Sequence, residues 1–392
     1  MIYLDYQATT PLAPEALDEM LPWLRDGFAN PHSPHAAGRR AKAAVEVARD
    51  QVAALLPPNG RVSFTSGATE ALNWAIKGVA GPVVTLATEH AAVLETADAR
   101  RDCTVLPVGA DGRIDLAAAR EAIRPGTALV AAMLVNNEIG TIQPIAELAE
   151  IAHAVGALFL CDAVQGYGRL DVPDACDLVA VSAHKIHGPK GVGALWVRDG
   201  VTLAPLLHGG GQEAGGRSGT LSPALCAGFG AAAAVAKVRQ AEDAAHVAAL
   251  FDRACAFFTP LPEREGPRVG DSPQTKTRVE GNPPPTPPIS GRGGWMLNGS
   301  LDHRYRGNLN IRLPGLDVAR LMSDLRDIAF SAGSACASGS GRPSHVLRAI
   351  GLSDAQARES LRIGFGRYTT LEELDDAMTR IAAAASHQRR AA

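Results

Sequence analysis

Short, mostly apolar runs recur through the first half of the chain and alternate with alanine-rich stretches of helical period. They are Val62-Ser63-Phe64, Val83 to Leu86, Ala128 to Val135, Ala157 to Leu160, Leu178 to Val181 and Ala194 to Val197. A strand buried on both faces needs a layer of helices on each side, and helical crossovers join neighbouring strands in parallel. The pattern therefore predicts an α/β large domain from about Pro14 to Ala256 with a mostly parallel sheet. Regular pattern resumes near Leu297, runs through Ala319 to Ile328 and ends in a helix from about Leu371 to Ala385. These elements, residues 295–392, joined by residues 1–13, are expected to build a smaller α+β domain.

Between the two, the composition changes abruptly. Thr259 to Pro288 holds nine prolines, many charges and almost no apolar periodicity. Such a stretch cannot bury enough apolar surface to offset its ordering entropy, so residues 259–294 read as an extended or disordered insertion.

With 392 residues, 46% hydrophobic, the chain can bury a large core. Its net charge of -3 is spread along the sequence, which gives no footprint for nucleic acid or a membrane surface. No apolar run approaches the ~18 residues of a membrane span, and the N-terminus lacks the order of a secretory signal, so the cytosol is the expected location. Six scattered cysteines without a C-x-x-C pair argue against a disulfide framework and a structural metal site.

In a parallel α/β sheet, ligands bind at the carboxyl ends of the strands. One of the apolar strands ends at Asp162 and another runs into Ser182-Ala183-His184-Lys185. A lysine amine and a carboxylate delivered to one place by two buried strands suit pyridoxal phosphate, which needs an amine for a Schiff base and an anion for its ring nitrogen. The turn-rich His187-Gly188-Pro189-Lys190-Gly191 after Lys185 would admit the cofactor closely. Thr65-Ser66-Gly67-Ala68-Thr69-Glu70 leaves a strand and opens a helix, either as a phosphate cradle or as an ordinary capped helix start. His90 ends another strand, where an imidazole could stack on a pyridine ring and move protons, or be a loop histidine. Cys336 stands in the small-residue stretch Ser331 to Gly341, as a nucleophile if a base deprotonates it or as an inert thiol if none does. Arg362, in the strand-like Ser360 to Ile363, could grip a carboxylate bidentately or be structural.

Taken together, these segments resemble the cysteine desulfurases of the NifS/IscS type, within the class V aminotransferase group of fold-type I pyridoxal phosphate enzymes. The resemblance runs from Tyr3-Leu4-Asp5-Tyr6-Gln7-Ala8-Thr9-Thr10-Pro11 to Arg367-Tyr368-Thr369-Thr370. It includes Asn30 to Ser33, Ser66 to Glu70, Thr88-Glu89-His90, Val135 to Gly140, Ser182 to Gly193, and His208 to Gly211 through Arg217 to Thr220.

The resemblance implies that Lys185 carries the cofactor, Asp162 meets the ring nitrogen, Gln165 contacts the ring hydroxyl, and His90 stacks and transfers protons. It places the phosphate at Thr69, Ser182 and His184, with Ala68 beside them, and has Thr220 reach the phosphate of a neighbouring subunit, hence a homodimer. Asn137 and Arg362 would hold the carboxylate of L-cysteine, and Cys336 would take its sulfur as a persulfide while alanine leaves. No metal is implied. A sulfur-acceptor protein, an iron-sulfur scaffold or a sulfurtransferase, would follow. The proline-rich insertion, the absence of a longer scaffold-docking tail after Ala392, and Gly364 at a position where relatives often have a hydroxyl residue depart from the family. A selenocysteine lyase or related β-lyase is the alternative activity, distinguished by whether Cys336 is required. A catalytically silent scaffold for sulfur transfer is a further alternative, opposed by the intact set Lys185, Asp162, His90 and Cys336.

Overall fold

The computed structural model describes residues 1–100, 102–213, 216–258, 294–332 and 343–391. The expected insertion therefore lies, apart from Gly294, outside the described residues.

A seven-stranded sheet forms the larger body. In spatial order its strands are Gly60–Thr65, Gly193–Arg198, Leu178–Ser182, Leu158–Asp162, Leu129–Met133, Val83–Leu86 and Cys103–Leu106. The five strands from Leu178–Ser182 to Cys103–Leu106 pair in parallel. Gly193–Arg198 is antiparallel to both of its neighbours. The loop 183–192 joins it to Leu178–Ser182, with Ser182 paired directly to Gly193, and a loop that returns the chain to the same end of the sheet makes an antiparallel pair, since a parallel partner needs a longer crossover.

Alternate residues of the central strands enter two different cores. Val84, Val130, Phe159, Cys161, Val179, Val181 and Trp196 pack on one face. Val83, Leu129, Leu160, Leu178, Ala180 and Leu195 pack on the other. This two-sided burial is why the strands read as unbroken apolar runs, and each large aliphatic side chain so buried contributes about 1.5–3 kcal/mol. The strand Cys103–Leu106 escaped the apolar pattern for the converse reason. It is an edge strand in which Thr104 and Val105 are exposed and only Leu106 is buried.

The second body centres on a four-stranded antiparallel sheet of Ser331–Ala332, Ser360–Gly364, Asn308–Arg312 and Met296–Leu297. The N-terminal strand Ile2–Tyr3 pairs in parallel with Ile328–Ala329, and Leu4 is fully buried in the same core as Leu361, Ile363 and Phe365. The 36-residue helix Pro223–Phe258 serves both bodies. Its first turns bury Cys226, Phe229 and Ala232 against the large sheet, and its last turns bury Val247, Leu250, Phe251 and Ala254 in the smaller core. The final helix, Leu371–Ala391, extends beyond the expected Ala385.

Candidate active site

A cavity of about 640 Å³ opens at the carboxyl ends of the parallel strands. Asp162, Ser182, His184, Lys185, His90, Thr69, Ala68, Gln165, Asn137 and Arg362 all line it. Ten of the twelve residues singled out in the sequence thus meet at one place. Thr220 is exposed and does not line the cavity, and Cys336 lies outside the described residues.

The strand Leu178–Ser182 ends in a tight turn, Ala183–Lys185, which aims Lys185 back over the sheet. Its Nζ donates to the carbonyls of Gln7 and, at 2.8 Å, Ala8. Asp162 closes the neighbouring strand, is 5% exposed, and accepts the Val164 N–H at 3.0 Å. Burial pushes its carboxyl above the usual aspartate range, against the pull of that N–H, His90 and Lys185.

The Val83–Leu86 strand stops short of His90, which instead caps the helix Ala91–Asp98. Its Nδ1 accepts the Ala92 N–H at 3.1 Å, so in the neutral ring the proton sits on Nε2. Burial holds the imidazole below its ordinary pKa, so the neutral form prevails near pH 7.

The helix Ala68–Gly78 begins without a side-chain cap. Its first backbone N–H groups and its dipole therefore offer an anion site beside the Ser182 hydroxyl. Close approach is built in on the opposite side: a Cβ on Gly193 would lie 2.8 Å from Gly67 Cα and 2.6 Å from the Val181 carbonyl. His184 Nδ1 lies 3.1 Å from Thr9 Oγ1, and burial, then Lys185 and Lys190, lower its pKa to about 4.

Gln165 is 4% exposed, donates to the Gln7 carbonyl at 2.9 Å, and accepts from Arg169 at 2.9 Å. Arg362 is 3% exposed and donates from Nη1 to the Asn137 carbonyl at 3.0 Å. Asn136, almost fully buried, shapes the loop that presents Asn137: its Oδ1 accepts the N–H groups of Glu138 and Ile139, both at 2.9 Å.

Sequence reading assigned no role to the N-terminal contributors. Gln7, Ala8 and Thr9 line the cavity, yet act largely through backbone carbonyls, which leave no residue-type signal. Gln7 also accounts for the glycine at 364, where a Cβ would fall 1.7 Å from Gln7 Oε1. The long Gln7 side chain fills the space that a side chain at 364 would need.

Glu89 was also passed over. It is fully buried, accepts the Met133 N–H at 2.9 Å, and burial raises its carboxyl well above the ordinary value. The folded state then holds a proton that the unfolded chain releases above about pH 4.3, so its contribution to stability falls as pH rises from there toward the folded-state pKa. Glu89→Gln, which mimics the protonated acid, is expected to melt a few degrees above the parent at pH 8 and close to it at pH 4. An advantage that stays flat across pH in thermal melts would contradict this account.

The residues present fit pyridoxal phosphate by the chemistry of their donors: a partly buried amine, a buried carboxylate lining the same cavity, an imidazole, and a helix N-terminus with hydroxyl donors at the phosphate end. Among the described residues there is no group of His, Cys, Asp and Glu arranged to hold a metal ion, and no helix long and apolar enough to cross a membrane.

Comparison with known proteins points the same way. Residues 2–277 match the family described as Aminotransferase class-V. The chain is 40% identical to Cysteine desulfurase IscS of Rickettsia typhi over 97% of its own length and 90% of the relative's. It is 41% identical to a probable mitochondrial cysteine desulfurase of Schizosaccharomyces pombe, covering 97% of this chain and 73% of that one. Among solved structures, a NifS-like protein superposes with a TM-score of 0.84 at 30% identity, covering 98% of this chain and 99% of the other. A structure described as SspA in complex with cysteine gives 0.75 at 34% identity, covering 94% and 100%.

Proposed function

This chain belongs to the class-V aminotransferase family and is a cysteine desulfurase of the NifS/IscS type, and from that premise we propose that the cavity around Lys185 is where L-cysteine gives up its sulfur. The family depends on pyridoxal phosphate. The observation that carries the reading is the convergence of Lys185 and Asp162 from adjacent buried strands onto one cavity that His90 and Arg362 also line.

In this reading Lys185 carries the cofactor, Asp162 meets its ring nitrogen, Gln165 its ring hydroxyl, and His90 its face. Ala68, Thr69, Ser182 and His184 hold the phosphate. When bound, the cofactor supplies an electron sink for the bonds around the substrate's Cα. Arg362 and Asn137 take the carboxylate of L-cysteine and fix which bonds face the catalytic groups. Neutral His90, with Nδ1 engaged by the Ala92 N–H, has its Nε2–H to offer the substrate as a donor near pH 7. Lys185, whose amine would hold the cofactor, carries protons at the substrate.

Cys336 is the sulfur acceptor. Its thiolate attacks the substrate sulfur, the S–S bond forms as the Cβ–S bond breaks, and the product carbon takes up a proton to become the methyl group of alanine. The enzyme keeps a persulfide, which passes to an acceptor protein for iron-sulfur clusters or thiolated cofactors. The exposed position of Thr220 suits a residue that serves a second copy's phosphate site, so the working unit is a homodimer. The cytosol, where the scattered cysteines stay reduced, is its compartment.

The test is product analysis. The purified protein is expected to release alanine from L-cysteine with an equal amount of transferable sulfur. Cys336→Ser is expected to lower alanine formation from cysteine by about 10³-fold or more while selenocysteine turnover persists. Undiminished cysteine turnover in that variant would replace this mechanism with that of a β-lyase.

A further inference from the structure

The guanidinium of Arg362 does not stand alone at the edge of the cavity. Its Nη2 donates to Asp5 Oδ1 at 2.8 Å and to Ser331 Oγ at 3.2 Å, and the Ser331 hydroxyl donates to the same Asp5 oxygen at 2.8 Å. The three side chains close a triangle on one carboxylate oxygen. Ser331 is directly opposite Arg362 in the antiparallel pair.

The backbone of Asp5 is pinned as well. Leu4 accepts the Gly364 N–H at 2.8 Å and donates its own N–H to the Ala329 carbonyl at 2.7 Å. Asp5 itself bridges to Gly364, two residues beyond Arg362 on the same strand. Both neighbours of Asp5 in the chain, Leu4 and Tyr6, are buried. A carboxylate held this firmly in place, against a guanidinium only 3% exposed, sets the plane of that guanidinium and cancels part of its charge.

We propose that Asp5 is a positioning residue for the substrate carboxylate. It holds Arg362 by Nη2 so that the guanidinium stays oriented toward the cavity, and Ser331 keeps the Asp5 oxygen aimed at Nη2. Without Asp5 the guanidinium keeps its links to the Asn137 carbonyl and the Ser331 hydroxyl, but loses the carboxylate oxygen that fixes Nη2 and Ser331 Oγ together. The inference rests on the assignment of Arg362 to the substrate carboxylate, and it gives an N-terminal residue outside the cavity wall control over substrate affinity rather than over chemistry.

A double-mutant cycle tests both levels separately. Asp5→Asn keeps the shape and removes the charge; it is expected to raise KM for L-cysteine about tenfold and leave kcat within about twofold. It should weaken binding of L-alanine, followed by titration of the cofactor absorption, by the same factor. Arg362→Gln is expected to raise KM about a hundredfold, and adding Asp5→Asn to it should cost nothing more. Unchanged or improved KM in Asp5→Asn, or full additivity in the double variant, would overturn the role given to Asp5 while leaving Arg362 in place. Unchanged KM in Arg362→Gln would instead remove the premise. Should Asp5→Asn not fold, Ser331→Ala is expected to raise KM about threefold, and no change there would equally overturn the proposal.

Discussion

Replacing Lys185 by alanine is expected to lower cysteine turnover by about 10⁴-fold or more and to abolish covalent retention of the cofactor. The size follows from position. The amine is delivered by a turn that begins at a buried strand end and finishes in a backbone pair, Ser182 with Gly193. Around it the surface offers carbonyl oxygens of Gln7 and Ala8 as acceptors, and the turn Ala183–Lys185 holds no second amine. Lys190 lines the same cavity from further along the loop. The check is borohydride reduction followed by peptide mapping. Parent protein should carry the reduced cofactor on Lys185, and Lys185→Arg, which keeps the charge but not the nucleophile, should carry none. Cofactor fixed elsewhere in the parent, or turnover surviving in Lys185→Ala, would end the assignment.

The second large effect is expected at Asp162. Asp162→Asn keeps the shape and can still accept the Val164 N–H, but it removes the negative charge. In a site 5% exposed, that charge acts through a low dielectric and is poorly screened by salt. Its loss is expected to cut kcat by about 10²–10³-fold, the range seen when one preorganised electrostatic partner of a reacting group is deleted. Because Asp162 would stabilise the protonated cofactor ring, the absorption of the bound cofactor should shift in the variant although the cofactor still binds. Near-parent kcat with an unshifted spectrum would show that the ring nitrogen finds its partner elsewhere.

The meeting of Lys185 and Asp162 at one cavity was legible in the sequence because its signal is local: each stands at the end of a run of buried residues, and the sheet brings strand ends together. Arg362 was legible by the same logic, lying inside a strand that proves to be buried at every residue. The antiparallel direction of Gly193–Arg198 was not, since a strand covered on both faces has the same composition whichever way it runs. Nor were Asp5, Gln7 and Glu89. Asp5 and Gln7 act on partners some 180 or more positions away, and Glu89 is distinguished only by the absence of water around it, which no spacing of residue types encodes.

The long helix Pro223–Phe258 has a consequence for how the protein can be cut or recombined. It plugs an apolar trough in each half, the early turns in one and the late turns in the other. Neither half owns it, so severing the chain on either side of this helix would strip one half of its lid and leave a greasy groove open to aggregation. Grafting the catalytic half onto another scaffold therefore means carrying this rod along whole, with a surrogate for the hydrophobic bed beneath its distal end.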